Sequence, residues 1–239
     1  PLLYLKKELT EFEKQSQRNV GGFMKGILVK RLESSFHAFI KTLKRFIKSY
    51  ERFIDMCTRG TVYISKKVDV YEYLESDSEE ELIKMLDDEN LQKYNLEEFK
   101  DEFIVHLNND LKTLKEIKSL WNNIKVDPKL EQFIQDLKND RLQENKLIIF
   151  TESKETGEYL YQNLNPVFPN KVMFFSSFVG MYESKNVNIP ISRDLIRENF
   201  DPNNPNQRDN IRILISTDIL SEGINLHRSN IVITYHLPW

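Results

Sequence analysis

The stretch Ile213-Leu-Ile-Ser-Thr-Asp-Ile-Leu-Ser-Glu-Gly-Ile-Asn-Leu226 opens with an apolar run and becomes polar at Ser216. A short continuous apolar run bounded by polar residues is typical of a strand buried on both faces of a parallel sheet. The apolar run begins at residue 211, and it resembles three others, at residues 147–150, 172–175 and 231–235. Helical spacing separates the runs at residues 155–164, at 191–200 and around Leu220. Strands that alternate with helices predict an α/β fold with a parallel sheet and flanking helices.

The first half of the chain has helical spacing instead. Apolar residues recur on one helix face from Leu32 to Ile54, and this pattern predicts one long amphipathic helix. Upstream, Gly21, Gly22 and Gly26 predict a turn before that helix or a close approach of two backbones.

A domain boundary is expected where this helical half ends. Helical spacing resumes from Phe103 to Ile124, and Asp127-Pro128 is typical of an N-cap followed by proline in the first helical turn. We therefore divide the chain into a helical N-terminal segment, residues 1–126, and a sheet domain, residues 127–239. Within the helical segment, about residues 68–102 are acidic and have too few apolar positions for a core, which predicts a mobile insertion.

Composition excludes several functional classes. The 239 residues are 40% hydrophobic and 30% charged, include one cysteine, Cys57, and contain no apolar run long enough to span a membrane. We expect a cytoplasmic protein with a real core and without a disulfide framework or a metal site. The formal net charge is -3, but residues 1–67 carry +9 and residues 68–110 carry -12. The basic block can bind a phosphate backbone or pair with the acidic block, and both interpretations stay open.

Polar residues follow each of three predicted strands. Thr151 and Ser153 follow the first, Ser176 and Ser177 the second, and Thr217 and Asp218 the third. Ligands of parallel sheets bind at the carboxyl ends of the strands, and hydroxyl groups there suit phosphate oxygens. The alternative is that the hydroxyls of residues 151, 153 and 217 are ordinary helix caps, although three at equivalent strand ends favour a site.

The Ser-Thr-Asp of residues 216–218, the Gly-Ile-Asn-Leu of residues 223–226 and the following strand with its Leu-Pro-Trp end resemble motif V of superfamily 2 helicases. The nearest branch is the Swi/Snf-like one, which includes the bacterial RapA-like ATPases. Residues 146–153, with Thr156 and Leu160, resemble motif IV and its helix. Residues 127–130 resemble the opening helix of the second lobe, and residues 28–35 resemble the helical segment before it. The resemblance spans residues 25–57 and 127–239 and implies a RecA-like C-terminal motor lobe.

This resemblance implies roles for individual residues. Thr151, Ser153, Ser176 or Ser177, and Thr217 would contact nucleic-acid phosphates, and Asp218 would order the motif V loop. Three further residues would contact ATP: Glu222, Gly223 and Asn225. Of these, Glu222 has an equally good alternative as a solvated charge or a partner of Arg228.

Several motor parts do not occur in the sequence. It contains no Gly-x-x-x-x-Gly-Lys-Ser/Thr phosphate loop and no Asp-Glu-x-x box, and it ends at Trp239, before the family's arginine-containing last motif. We therefore expect a truncated lobe that hydrolyses no ATP alone. The resemblance implies a parent helicase or translocase whose partners are nucleic acid, with DNA favoured, and its own first lobe. The first lobe would bring the magnesium ion of the bound ATP.

Two other functions remain open. The chain can be a non-catalytic interaction or scaffold module with a helicase-like fold, in which the basic and acidic segments recruit a partner. A small-molecule enzyme of Rossmann or flavodoxin type is less favoured, because the glycine-rich fingerprint after the first strand is missing.

Overall fold

A computed structural model describes residues 2–6, 11–65, 91–217 and 224–236. The chain divides into two units: residues 1–32 with 39–125, and residues 33–38 with 126–239. None of the described helices is long and apolar enough to cross a membrane.

In the described residues of the first unit, three helices accompany a small sheet. Its elements are α1 (Glu11–Ser34), α2 (Phe36–Thr58), β1 (Thr61–Ser65), β2 (Leu91–Asn95) and α3 (Glu102–Trp121), with 3-10 turns at Leu2–Tyr4 and Leu96–Glu98. Its largest apolar cluster joins α2 to α1 and α3 through Ile27, Phe39, Leu43, Phe46, Ile47 and Leu114. This cluster explains the apolar stripe of the sequence, because most of its members lie on one face of α2.

The prediction of one unbroken helix from Leu32 is wrong. The chain leaves the helix at Ser35, and the side chain of Ser35 accepts a hydrogen bond from the Ala38 N–H at 3.0 Å, which caps α2. The predicted turn at the three glycines is also wrong, because α1 runs through all of them. A close approach is excluded at Gly22 and Gly26, where nothing lies within 4 Å of the Cβ position.

Residues 91–102 of the predicted acidic insertion are ordered. β2 pairs antiparallel with β1 from Thr61–Asn95 to Ser65–Leu91, and Phe99 is buried. Gly60 has a φ of 80°, a left-handed conformation that suits glycine in the turn between α2 and β1. Residues 66–90 lie outside the described residues, so the prediction for them stays a prediction.

The second unit is a six-stranded sheet with helices on both faces. Its elements are α4 (Pro128–Leu137), α5 (Asp140–Gln143), β3 (Leu147–Thr151), α6 (Lys154–Leu164), β4 (Val172–Phe175), β5 (Gly180–Tyr182), β6 (Lys185–Val187), α7 (Ile189–Phe200), β7 (Ile213–Thr217) and β8 (Ile231–Thr234). The strand order is β6-β5-β4-β7-β3-β8, and β4, β7, β3 and β8 are parallel. This arrangement confirms the predicted α/β fold with a mostly parallel sheet. The short helix predicted around Leu220 falls outside the described residues.

Alternation along the strands divides the core into two clusters. Leu147 and Ile149 of β3 pack with α4 and α6 on one face, whereas Ile148 packs with α7 on the other. Because both faces are covered, the strands are apolar at successive positions, and this is the signal that the sequence carried.

The hairpin of β5 and β6 was not predicted. Its turn consists of Glu183 and Ser184, which have φ values of 49° and 59°. Such a two-residue turn usually contains asparagine or glycine. Here α6 holds the turn, because the Ser184 N–H donates to the Tyr161 hydroxyl at 2.9 Å and Asn165 Nδ2 donates to Ser184 Oγ at 3.0 Å.

Candidate functional site

The carboxyl ends of four parallel strands lie at one edge of the sheet, in the order β4, β7, β3 and β8. Thr151 and Thr217 end β3 and β7 and are direct neighbours in the register. Ser176 follows β4 and continues the register on the other side of Thr217. Tyr235 follows β8 beside Thr151, and its N–H donates to the Phe150 carbonyl at 3.0 Å. Ser176, Thr217, Thr151 and Tyr235 thus form a hydroxyl row with a spacing of about 4.8 Å between strands.

The row lies on the face of the sheet that α4 and α6 cover. Side chains alternate along a strand, so Thr151 follows Leu147 and Ile149 on that face. Tyr235 is a member of the same buried cluster. The sequence could not place these hydroxyls on one face, because that placement depends on the register between strands.

The turn between β3 and α6 uses two of the predicted hydroxyls internally. Ser153 caps α6, since its Oγ accepts from the Thr156 N–H at 3.2 Å. Thr151 Oγ1 donates to the Ser153 carbonyl at 3.2 Å. Both side chains are buried. Ser153 is therefore a helix cap, and Thr151 stabilises the turn through its hydrogen bond to the Ser153 carbonyl.

The turn after β4 combines a buried and an exposed serine. Ser176 Oγ donates to the Val179 carbonyl at 3.1 Å and accepts from the Val179 N–H at 3.2 Å. Ser177 is exposed, and so is Phe178, with 64% of its surface accessible. Lys154 places its Nζ 5.5 Å from the centroid of the Phe178 ring. The turn therefore presents a hydroxyl and an aromatic ring, and beside the ring lies the half-buried Lys154, which also pairs with the Glu158 carboxylate at 3.8 Å.

The sequence analysis singled out neither Lys154 nor Phe178. A cation at the first position of a helix that follows a strand end was the available signal for Lys154. Phe178 gave none, because an exposed aromatic residue cannot be distinguished from a core residue by its type alone.

Two hydroxyls of the row have no hydrogen-bond partner among the described residues: Thr217 Oγ1 and Tyr235 Oη. Thr217 is 8% exposed. Tyr235 packs against Phe133 at a 5.0 Å centroid distance, and Lys129 Nζ lies 4.1 Å from its ring centroid. Burial, together with the nearby Asp127 carboxylate, raises the pKa of Tyr235, so its hydroxyl stays protonated at neutral pH.

The predicted nucleotide contacts are only partly described. Glu222 and Gly223 lie outside the described residues, as does Asp218 of the predicted nucleic-acid set. Asn225 is half-buried, and its Oδ1 accepts from the His227 N–H at 3.1 Å. The predictions for these four positions stay predictions.

The opposite, amino edge of the sheet carries an ionic network. Arg228, the suggested partner of Glu222, donates to the Glu198 carbonyl at 3.1 Å and approaches the Asp209 carboxylate at 3.4 Å. Lys146 pairs with the same carboxylate at 2.5 Å. This hydrogen bond holds the pKa of Asp209 below its usual range, while burial lowers the pKa of Lys146 against the effect of its partner. These contacts hold the loop that precedes β7 in place.

Among the described residues, no group of three or more His, Cys, Asp or Glu side chains is arranged to hold a metal ion.

Comparison with known proteins supports a family for the second unit. No curated protein matches the chain. The family model described as "Helicase conserved C-terminal domain" matches residues 128–239, a range that begins at the first residue of α4. The match and the mostly parallel sheet together support a helicase C-terminal lobe in this part of the chain.

Proposed function

We propose that this chain supplies the second motor lobe of an ATP-dependent helicase or translocase of the Swi/Snf or RapA branch. In this proposal the carboxyl edge of the sheet binds the nucleic-acid backbone, and the chain hydrolyses no ATP without a first lobe. The observation that carries it is the set of polar groups at the carboxyl edge, Ser177, Lys154 and Thr217, in a domain that matches the helicase C-terminal family.

Three kinds of donor at this edge suit phosphate oxygens. Ser177 offers an exposed hydroxyl, and Lys154 offers a cation at the start of α6. The first N–H groups of α6 add partial positive charge. Thr217 offers a hydroxyl that is unused among the described residues. Such contacts bind the backbone without reading bases, as a motor that moves along a strand requires.

Thr151, Ser153 and Ser176 have a different part in this proposal. Their side chains are buried and hydrogen-bonded within the two turns. They would therefore fix the turns that present Ser177 and Lys154, and they would contact phosphate only if the turns open.

In this proposal ATP contacts the segment that follows β7. Hydrolysis of the bound ATP would drive the motor, and the first lobe would hold the magnesium ion. Asn225 uses its Oδ1 internally, so its Nδ2 amide is the group that could donate to a ribose hydroxyl. Glu222 and Gly223 complete the proposed contact.

Fluorescence anisotropy with a labelled single-stranded oligonucleotide, titrated across a salt series, tests the proposal on Lys154→Gln. Loss of one phosphate contact should lower affinity at low salt and reduce the slope of log K against log salt by about one. Lys185→Gln is the charge-matched control, because Lys185 is exposed at the amino end of β6. If both variants weaken binding equally, the chain attracts the oligonucleotide only through non-specific charge, and Lys154 is not a contact. If the wild type does not bind at all, the scaffold alternative is favoured.

Thr217→Val tests the proposed contact of the Thr217 hydroxyl. Valine has the shape of threonine, and Thr217 Oγ1 has no partner among the described residues, so the variant should be as stable as the wild type or more so. Binding should nevertheless weaken, because a phosphate would lose a donor. A variant that binds like the wild type removes Thr217 from the proposed site.

A further inference from the structure

A cluster of four buried hydroxyls joins residues that are more than one hundred positions apart. Thr156 Oγ1 lies 2.8 Å from Ser34 Oγ, 2.9 Å from Ser35 Oγ and 3.1 Å from Ser153 Oγ. Thr156 itself has no accessible surface, and all three serines are buried. We call these four residues the hydroxyl cluster.

The cluster uses the full hydrogen-bonding capacity of Thr156. A hydroxyl has one donor and two acceptor positions, and three serine hydroxyls surround this one. Saturated bonding at a fully buried position fixes geometry, because a shift of any member leaves a polar group unpaired.

Further contacts hold residues 33–38 in the second unit. Lys129 Nζ donates to the Glu33 carbonyl at 2.7 Å and to the Ser34 carbonyl at 3.2 Å. His37 stacks on Tyr159 of α6, with a 5.2 Å centroid distance and 7° between the rings. The segment that ends α1 and begins α2 is therefore part of the second unit, although the family match begins at residue 128.

The far side of the cluster is the turn that leads into α6. Ser153 bonds to Thr156 through its Oγ and also accepts from the Thr156 N–H, while Thr151 donates to the Ser153 carbonyl. This turn sets the direction of the first N–H groups of α6 and of Lys154. Residues 34 and 35 thus reach the proposed phosphate edge through two hydrogen-bonded steps.

We infer that Ser34 and Ser35 are positioning residues for the nucleic-acid contact: through Thr156 they hold the Ser153 turn in its binding geometry. This inference rests on the proposed function of that edge. A displacement of the junction between α1 and α2 would remove two of the three hydroxyls around Thr156 and loosen the turn.

The substitutions Thr156→Val and Thr156→Ser separate this role from simple packing. Valine keeps the shape and loses the hydroxyl, whereas serine keeps the hydroxyl and loses a methyl group. Hydrogen exchange measured by mass spectrometry over residues 152–157 of the 239-residue chain should be about tenfold faster in Thr156→Val and close to wild type in Thr156→Ser. Affinity for an oligothymidine should fall in the first variant and be retained in the second.

Ser34→Ala is the milder test from the other side of the cluster, in case Thr156→Val fails to fold, and it should show the same two changes to a smaller extent. Ser229→Ala is the control, because Ser229 is a half-buried serine at the amino edge of the sheet whose Oγ donates to the Lys146 carbonyl at 3.0 Å. It should leave exchange over residues 152–157 and binding unchanged.

The inference is overturned if Thr156→Val exchanges and binds like the wild type, or if Thr156→Ser is as impaired as Thr156→Val. If the wild-type chain binds no oligonucleotide, the proposed function fails, and the exchange comparison still decides whether the hydroxyl cluster holds the turn.

Discussion

Replacing Gly157 with alanine tests how closely α6 packs on the sheet. Gly157 is buried in α6, and a Cβ built on it would lie 2.3 Å from Cε2 and 2.9 Å from Cδ2 of Phe174. Phe174 has no accessible surface and lies in the middle of β4, within the cluster that α4 and α6 cover. The ring cannot yield without displacing its neighbours, so α6 must move outward.

The expected magnitude is the difference between two opposing effects. Alanine favours a helix over glycine by about 1 kcal/mol. Forcing a methyl group into a filled core costs about 1–3 kcal/mol, and a 2.3 Å contact belongs to the upper part of that range. Gly157→Ala should therefore lower the free energy of unfolding of the second unit by about 1–2 kcal/mol.

Gly26→Ala provides the matched control, because Gly26 is also helical but has nothing within 4 Å of its Cβ position. It should stabilise α1 by up to about 1 kcal/mol. Hydrogen exchange measured peptide by peptide reports both units separately, which a single unfolding curve does not. Exchange in α6 should be faster in Gly157→Ala, and exchange in α1 slower in Gly26→Ala. Slower exchange in α6 of Gly157→Ala would refute the close packing of α6 on β4.

Three further predictions concern the stability of the second unit. Leu160→Ala should cost about 2–5 kcal/mol in chemical denaturation, because Leu160 has no accessible surface, whereas Val232→Ala, at a position 61% exposed, should cost little; equal costs would contradict the assigned core. Asp127→Ala should cost about 0.5–2 kcal/mol, because it removes the N-cap of α4, and Asp127→Asn should recover most of that stability. Asp209 has a lower pKa in the folded state than in the unfolded state, so its bond with Lys146 stabilises the unit above the unfolded pKa, and this stabilisation is lost as pH falls through the folded pKa. In Asp209→Asn the denaturation midpoint should therefore depend less on pH below about pH 4 than it does in the wild type. The same pH dependence in both proteins would show that this pair does not contribute to stability.

The sequence was sufficient for the parallel strands because their two covered faces require apolar residues at successive positions. The residues that end β3 and β7 could be singled out for the same reason, since Thr151 and Thr217 are polar where an apolar run stops. Helix α4 was predicted from Asp127 and Pro128, and the structure shows Asp127 accepting from the N–H three residues on at 3.1 Å.

Other features depend on contacts between distant parts of the chain. The break at Ser35 leaves no mark in the spacing of the apolar residues. It depends on a distant contact, since Ser35 both caps α2 and bonds to Thr156, 121 positions away. The β5–β6 hairpin has Glu183 and Ser184 in its turn and depends on α6 to hold them. Burial of Thr151 could not be foreseen either, because it follows from how the turn folds back over the strand end.

The position of bound nucleic acid tests the central claim most directly. Hydrogen exchange of the 239-residue chain, compared with and without a saturating single-stranded oligonucleotide at low salt, locates the binding surface. The proposed function predicts slower exchange at residues 152–157 and 176–180, on the carboxyl edge, and no change at residues 199–212 on the amino edge. Protection confined to the basic helix α2 or to the amino edge, or no protection anywhere, would contradict it.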